Sequence, residues 1–324
     1  VLRIRVICPP ALAEEVLRIA DSPAVVNIVR FPGAARSPAG DLVEFEVARE
    51  AANDVLARLR ALGLSDTGGV SAEQVDLSIS TAAEAAQEVA PGDPDDAVVW
   101  EELAARAASD TRITWAFLSF LALATQIAAI GALLDQPILI VGAMVLGPEF
   151  GPVAASCFGT LRRDGRLVVA AVRALAVGFS VAIMITLACA AVSRGLGWIT
   201  PDMLDDRPLT GFIVHPDRWS FIVAVLAGVA GILSLTAGKS AALVGVFISV
   251  TTVPAAGNIA VAMALAHWGE VGASFAQLGL NLAGMFLAGT LTLLLQRALW
   301  ARYGLRVLPG TSGALPAKPP SGAA

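Results

Sequence analysis

The stretch Ile138-Leu-Ile-Val-Gly-Ala-Met-Val-Leu-Gly-Pro-Glu-Phe-Gly-Pro-Val-Ala-Ala155 is apolar enough to enter a bilayer, yet two Gly-Pro pairs and a carboxylate interrupt it. In hydrocarbon no water replaces a lost backbone hydrogen bond, so such an interruption persists only where protein buries it or where it lines a wet cavity. Function is therefore expected here first.

Around this stretch the chain is composed for lipid. It has 324 residues, 56% apolar and 15% charged, with a mean hydropathy of +0.73, and most of the charge falls outside residues 113–299. Six apolar spans are legible, over residues 113–134, 137–159, 167–192, 219–237, 240–266 and 275–299. Each approaches the roughly 20 residues that cross a hydrocarbon core about 30 Å thick. The expectation is an all-α polytopic membrane domain of six transmembrane helices over residues 112–300.

Residues Val1 to Val6 alternate apolar side chains with Arg and do not read as a cleavable signal, so the N-terminal domain is expected in the cytoplasm. On that topology Arg162, Arg163, Arg166, Lys239, Arg297, Arg302 and Arg306 fall inside. Arg194, Arg207 and Arg218 fall outside, among Asp202, Asp205, Asp206 and Asp217. Excess Lys and Arg mark the cytoplasmic face. The reading is a multi-pass protein of the cell inner (plasma) membrane with both termini cytoplasmic.

A shift of 103 residues lays the run from Ile140 to Pro148 on the run from Leu243 to Thr251, with Val141 on Val244 and Gly142 on Gly245. Pro148 then sits near the middle of the second span and Pro254 near the middle of the fifth. Three crossings per repeat reverse the starting side, so the pattern predicts two inverted three-helix repeats with broken second and fifth helices. Paired interruptions of this kind mark midplane sites in many secondary transporters. Proline lacks the N–H that bonds the carbonyl four residues back. Pro148 is thus expected to free Met144, Pro152 to free Pro148, and Pro254 to free Val250. Gly147 and Gly151 flank the first break, while Thr251, Thr252 and Asn258 flank the second, and Asn281 lies within span six. These residues, with Glu149, form the expected ion- or substrate-binding set. Asp135 is expected to be solvated in a short turn.

Residues 1–90 read as strand, helix, strand, strand, helix, strand: 2–8 alternates, 10–20 starts on Pro, 25–31 and 42–47 are β-branched, and 75–79 supplies the last strand. Residues 32–40 are turn-rich, and Asn53 is placed to cap the second helix, which ends at Gly63. The order is the ferredoxin-like βαββαβ pattern of an α+β cytoplasmic domain. Residues 91–111 form a linker and coupling helix. Residues 301–324, rich in Pro, Gly, Ala and Ser, read as a cytoplasmic tail disordered towards its end.

Three separated runs, Val141-Gly-Ala-Met-Val-Leu-Gly-Pro-Glu-Phe-Gly-Pro152, the segment from Gly238 to Pro254, and Leu280-Asn-Leu282, together resemble the bacterial and archaeal membrane family catalogued as domain of unknown function 389. The resemblance extends from about Glu101 to Leu299. It implies a multi-pass inner-membrane protein and carries over no catalytic residue. Between the Gly-Pro pairs the family pattern is apolar, whereas this chain places Glu149 there. A carboxylate near the bilayer centre is costly, so it should face a cavity, bind a cation or carry a proton.

These features favour a transporter or channel for an ion or small solute. The alternative is a membrane-anchored sensor or scaffold whose cytoplasmic domain binds a ligand or partner. Enzymatic chemistry fits poorly. His215 and His267 lack metal-ligand spacing, Glu149 has no acidic partner in the sequence, and Ser156 and Ser180 have no adjacent base. No cofactor is expected, and the three cysteines show no pairable spacing. A net charge of −5 without a basic patch argues against nucleic acid. Small residues at Ala224, Gly228, Gly231, Gly284 and Ala288 suit close helix packing. The expected partners are the lipid bilayer and further copies of the chain.

Overall fold

The computed structural model describes residues 1–75, 77–90, 97–205, 207–214, 217–237 and 250–302. They divide into two compact units, one of residues 1–103 with the chain from Gln296, the other of residues 104–295.

In the first unit β1 (Leu2–Cys8), β2 (Val25–Arg36), β3 (Ala39–Val47) and β4 (Gly69–Gln74) form one sheet in the order β2-β3-β1-β4, every pair antiparallel. Helices α1 (Pro10–Ala20) and α2 (Ala52–Ala61) alternate with the strands, and the single turn α3 (Leu64–Thr67) precedes β4. Alternation along β1 buries Leu2, Ile4, Val6 and Cys8 in a core with Val16, Val55 and Leu59. On the opposite face Arg3 and Arg5 pair with Glu44 and Glu46. Helix α4 (Thr81–Val89) begins on Ser80, whose hydroxyl accepts from Ala83 N.

Three local expectations are corrected. The last strand is residues 69–74, not 75–79, because backbone fit decides it. A Cβ on Gly68 would overlap the Ile7 carbonyl, and Gly69 stands opposite Ile7. The apolar side chains of Leu77 and Ile79 instead point outward. The turn expected over residues 32–40 is shorter. β2 runs on to Arg36, with Gly33 at φ +62° and Asp41 accepting from the Gly33 N–H, so a bulge absorbs the glycine. Asn53 does not cap α2, which starts one residue earlier. Its side chain donates to Val98 O and accepts from Trp100 N, anchoring the start of α5 (Trp100–Asp110).

The bulge has a measurable consequence. The Gly33 N–H and the Arg30 guanidinium hold the Asp41 carboxyl below the usual carboxylate range. The folded state therefore keeps Asp41 ionised to lower pH than the unfolded chain does, and its contribution is complete at neutral pH. That contribution is lost as pH falls below about 4. Hydrogen-exchange protection factors across β2 and β3 in the full chain, taken against the intrinsic rate at each pH, should fall in that range, and Asp41→Asn should flatten the pH dependence.

The second unit is helical: α6 (Trp115–Leu133), α7 (Pro137–Leu146), α8 (Phe150–Arg162), α9 (Gly165–Gly195), α10 (Arg218–Thr236), α11 (Thr252–Leu265) and α12 (Trp268–Arg302). Of these, α6, α9, α10 and α12 are long and apolar enough to cross a bilayer, which identifies a membrane protein. Helices α7 and α8 are long and apolar enough for a span only when taken together, as a pair bent by 50° at the break. Against the six expected crossings, the described residues thus hold four, or five with the bent pair. The first half of the expected fifth span, residues 240–249, lies outside the described residues. The 14 residues of α11 reach only about 21 Å, too short to cross alone.

Nearly all of α11 is buried. Its Gly257 lies against the backbone of α6, where an added Cβ would stand 2.8 Å from Ala129 N and from Thr125 O. Gly257→Ala must push two helices apart, and overpacking of this kind costs about 1–3 kcal/mol. Thermal unfolding of the purified variant in detergent should show the loss. Outward positions such as Val169, Met184, Leu226, Leu287 and Leu291 are exposed and apolar, as a lipid-facing surface requires.

Candidate functional site

The starts of α8 and α11 are built alike. Helix α7 ends at Leu146 and Gly147 is extended, at φ −68° and ψ 125°, before α8 begins at Phe150. Helix α11 begins at Thr252. Pro152 and Pro254 are each the third residue of their helix, where a backbone N–H has no intrahelical partner to lose. The expectation that they free the carbonyls of Pro148 and Val250 is corrected accordingly. Those two residues precede the helices, so their carbonyls never belonged to a ladder. The helices begin instead with Val153 N donating to Glu149 O and Ala255 N donating to Thr251 O. Pro148 occupies the first break itself.

Glu149 is only 7% exposed and turns inward at that break. Its Oε1 accepts from Thr252 Oγ1 at 2.6 Å. Its Oε2 has no hydrogen-bond partner among the described residues. The carboxylate folds over Gly147, where a Cβ would overlap Oε2 and would stand 2.7 Å from Val253 Cγ2. Gly147 is bare because the acid occupies the space of its side chain. Beside Thr252, the Thr251 hydroxyl oxygen accepts from Gln277 Nε2 and Asn281 Nδ2, both at 2.9 Å. Gln277 is 1% exposed, and its Oε1 also lacks a partner among the described residues.

Gly151 faces a second acid. A Cβ there would lie 3.0 Å from Asp110 Cβ, Cγ and Oδ2. Burial pushes the Asp110 carboxyl above its ordinary value, with Arg106 opposing the shift.

Of the expected set, Glu149 and Thr252 meet directly, Gly147 and Gly151 carry acids against their bare Cα atoms, and Thr251 joins Asn281. Met144 packs with Ile140, Val253 and Ile259 in the apolar core, and Val250 and Pro254 are buried. Asn258 belongs to a different cluster. Its Oδ1 accepts from Arg207 Nη1 at 2.7 Å, and its Nδ2 donates to Glu270 Oε2 and Ser274 Oγ. Arg207 also donates through Nη2 to Glu270 Oε2 at 2.7 Å and through Nε to Leu204 O at 3.0 Å. The Arg207 side chain is 3% exposed.

Sequence reasoning missed Arg207, Glu270, Ser274 and Gln277. For three of them a signal existed. Glu270, Ser274, Gln277 and Asn281 recur at intervals of four, three and four, so they share one face of α12 and run about 16 Å along it. A polar stripe on an otherwise apolar helix needs buried partners, and α11 supplies them. Arg207 carried no such signal among the charges of its loop. Asp135 is not simply solvated either. Its carboxylate accepts from Leu209 N, Thr210 N and Thr210 Oγ1, which ties the turn between α6 and α7 to the segment that carries Arg207.

Residues 144–287 match the family described as Domain of unknown function (DUF389). An uncharacterized protein of Methanocaldococcus jannaschii is 28% identical over 188 residues, covering 58% of this chain and 55% of the relative. The chain thus spans about half the length of the curated relative it matches. No solved structure matches it.

Proposed function

We propose that this member of the DUF389 family is a transporter or channel that moves an ion or small solute through a midplane site between two broken helices. The observation that carries the reading is the Glu149–Thr252 hydrogen bond, which joins residues 103 apart. The same interval relates the start and the end of α6 to those of α10, and the start of α9 to that of α12. It also relates Arg163 to Ala266, two non-glycine residues at positive φ that terminate α8 and α11.

Two repeats of one long helix, one broken helix and one long helix contain an odd number of crossings each, which inverts the second against the first. A residue touches its own counterpart only close to the axis that relates the halves. Glu149 and Thr252 therefore mark that axis, where alternating access needs its binding site. The soluble unit is a ferredoxin-like module in the cytoplasm, the chain sits in the inner membrane with both termini inside, and the small-residue helix faces allow homo-oligomers.

Reconstitution into proteoliposomes tests the proposal. Flux of at least one ion or small solute above that of protein-free liposomes is expected. Vesicles holding folded, inserted protein that stay tight to the whole panel would remove the transport reading. A metabolite or protein bound by the full chain through residues 1–90 under those conditions would favour the membrane-anchored sensor or scaffold.

A further inference from the structure

The geometry points to a monovalent cation as the species bound at Glu149, held by Glu149 Oε2 and Gln277 Oε1 together with the backbone carbonyls of Gly147, Pro148 and Val250. The inference rests on the proposed transport site and names its substrate class. Its first support is the balance of donors and acceptors. Thr252 Oγ1 donates to Glu149 Oε1, and the amides of Gln277 and Asn281 donate to Thr251. The atoms left over, Glu149 Oε2 and Gln277 Oε1, are both acceptors, both buried, and both lack a partner among the described residues. They belong to side chains tied to the adjacent residues Thr252 and Thr251. A buried acceptor without a donor costs about 1–3 kcal/mol, and more when it is charged. A cation coordinated by such an atom removes that cost.

Backbone oxygen is also available. The carbonyls of Gly147, Pro148 and Val250 precede helices and receive no backbone hydrogen bond from the described residues. Charge then sets the class. Among the described residues none of the hydrogen bonds within this cluster comes from Lys or Arg, so an anion would meet an uncompensated carboxylate. A single carboxylate balances one positive charge. Divalent cations take six or more oxygen ligands with several carboxylates or waters among them. No group of three or more His, Cys, Asp or Glu residues that could hold a metal occurs among the described residues. Asp110, packed against Gly151 in the first turn of α8, is a second acid near this end of the helix. Arg207 lies in the other cluster, already paired with Glu270.

The test is thermal unfolding of the purified full chain in detergent, in LiCl, NaCl or KCl against N-methylglucamine chloride at constant ionic strength. At least one alkali cation should raise Tm saturably. The shift should vanish in Glu149→Gln, and in Gln277→Leu the midpoint concentration should rise about tenfold, the equivalent of one lost ligand. The readout is the cation-dependent shift rather than Tm itself, so a change in baseline stability does not mask it. An identical Tm in all four salts, or a shift that survives in Glu149→Gln, overturns the assignment. Flux in proteoliposomes without any shift overturns the cation assignment alone. A shift without flux supports it while removing transport.

Discussion

Glu149→Gln is expected to lower flux in proteoliposomes about ten- to hundredfold while leaving thermal stability unchanged or raised. The two effects have separate causes. A carboxylate-assisted contact contributes about 1.5–3 kcal/mol, and each 1.4 kcal/mol is a factor of ten in binding. Gln keeps an oxygen for the Thr252 hydroxyl, so the bond between the α7–α8 break and the start of α11 survives. It also removes a charge from a position only 7% exposed, and the desolvation of that charge opposes folding. An amide beside the orphaned Oε2 position offers a donor where the structure lacks one. Flux assays paired with thermal unfolding separate these contributions. Unchanged flux would remove Glu149 from the pathway, and a collapse in stability would show that the acid serves the fold.

Arg207→Leu is expected to destabilise the chain by about 3–5 kcal/mol, the usual consequence of removing one partner from a buried ion pair. Three groups lose a donor, Asn258 Oδ1, Leu204 O and Glu270 Oε2, and the last also loses its counter-charge. Arg207→Lys should recover little, because a point charge cannot serve three acceptors in a planar fork. Arg207→Leu combined with Glu270→Leu should recover a large share, since no unpaired carboxylate is then left behind. Thermal unfolding of the three variants measures the coupling. A loss below about 1 kcal/mol in Arg207→Leu would place the pair among ordinary solvated surface bridges.

The parts of this molecule that were legible in the sequence are those governed by local rules. Apolar length located α6, α9, α10 and α12, and the Gly-Pro pairs located the break between α7 and α8 to within a few residues. Alternation located β1, and the Pro at the start of α1 located that helix to the residue. Errors arose where a partner decides. β4 formed where glycines let its backbone meet β1, although the next residues are more apolar. Asn53 answered the chain at Val98 and Trp100 rather than its own helix.

The same division holds at the candidate site. Glu149, Thr251, Thr252 and Asn281 could be named beforehand because polar residues inside apolar spans stand out against the cost of burying them. Their grouping could not, since a sequence states spacing along one helix and not which helix faces it. Asn258, seven residues from Thr251, was assigned to the same set and is bonded instead to Arg207, Glu270 and Ser274. By itself the sequence determined that this chain enters a membrane and that its second apolar stretch is interrupted around an acid, because backbone hydrogen bonding and hydrophobic length follow from composition. Only the tertiary structure decided that the acid meets Thr252, leaves one oxygen unpaired, and lies apart from the Arg207 cluster. Those contacts depend on how α8, α11 and α12 approach one another, and long-range packing carries no local signature.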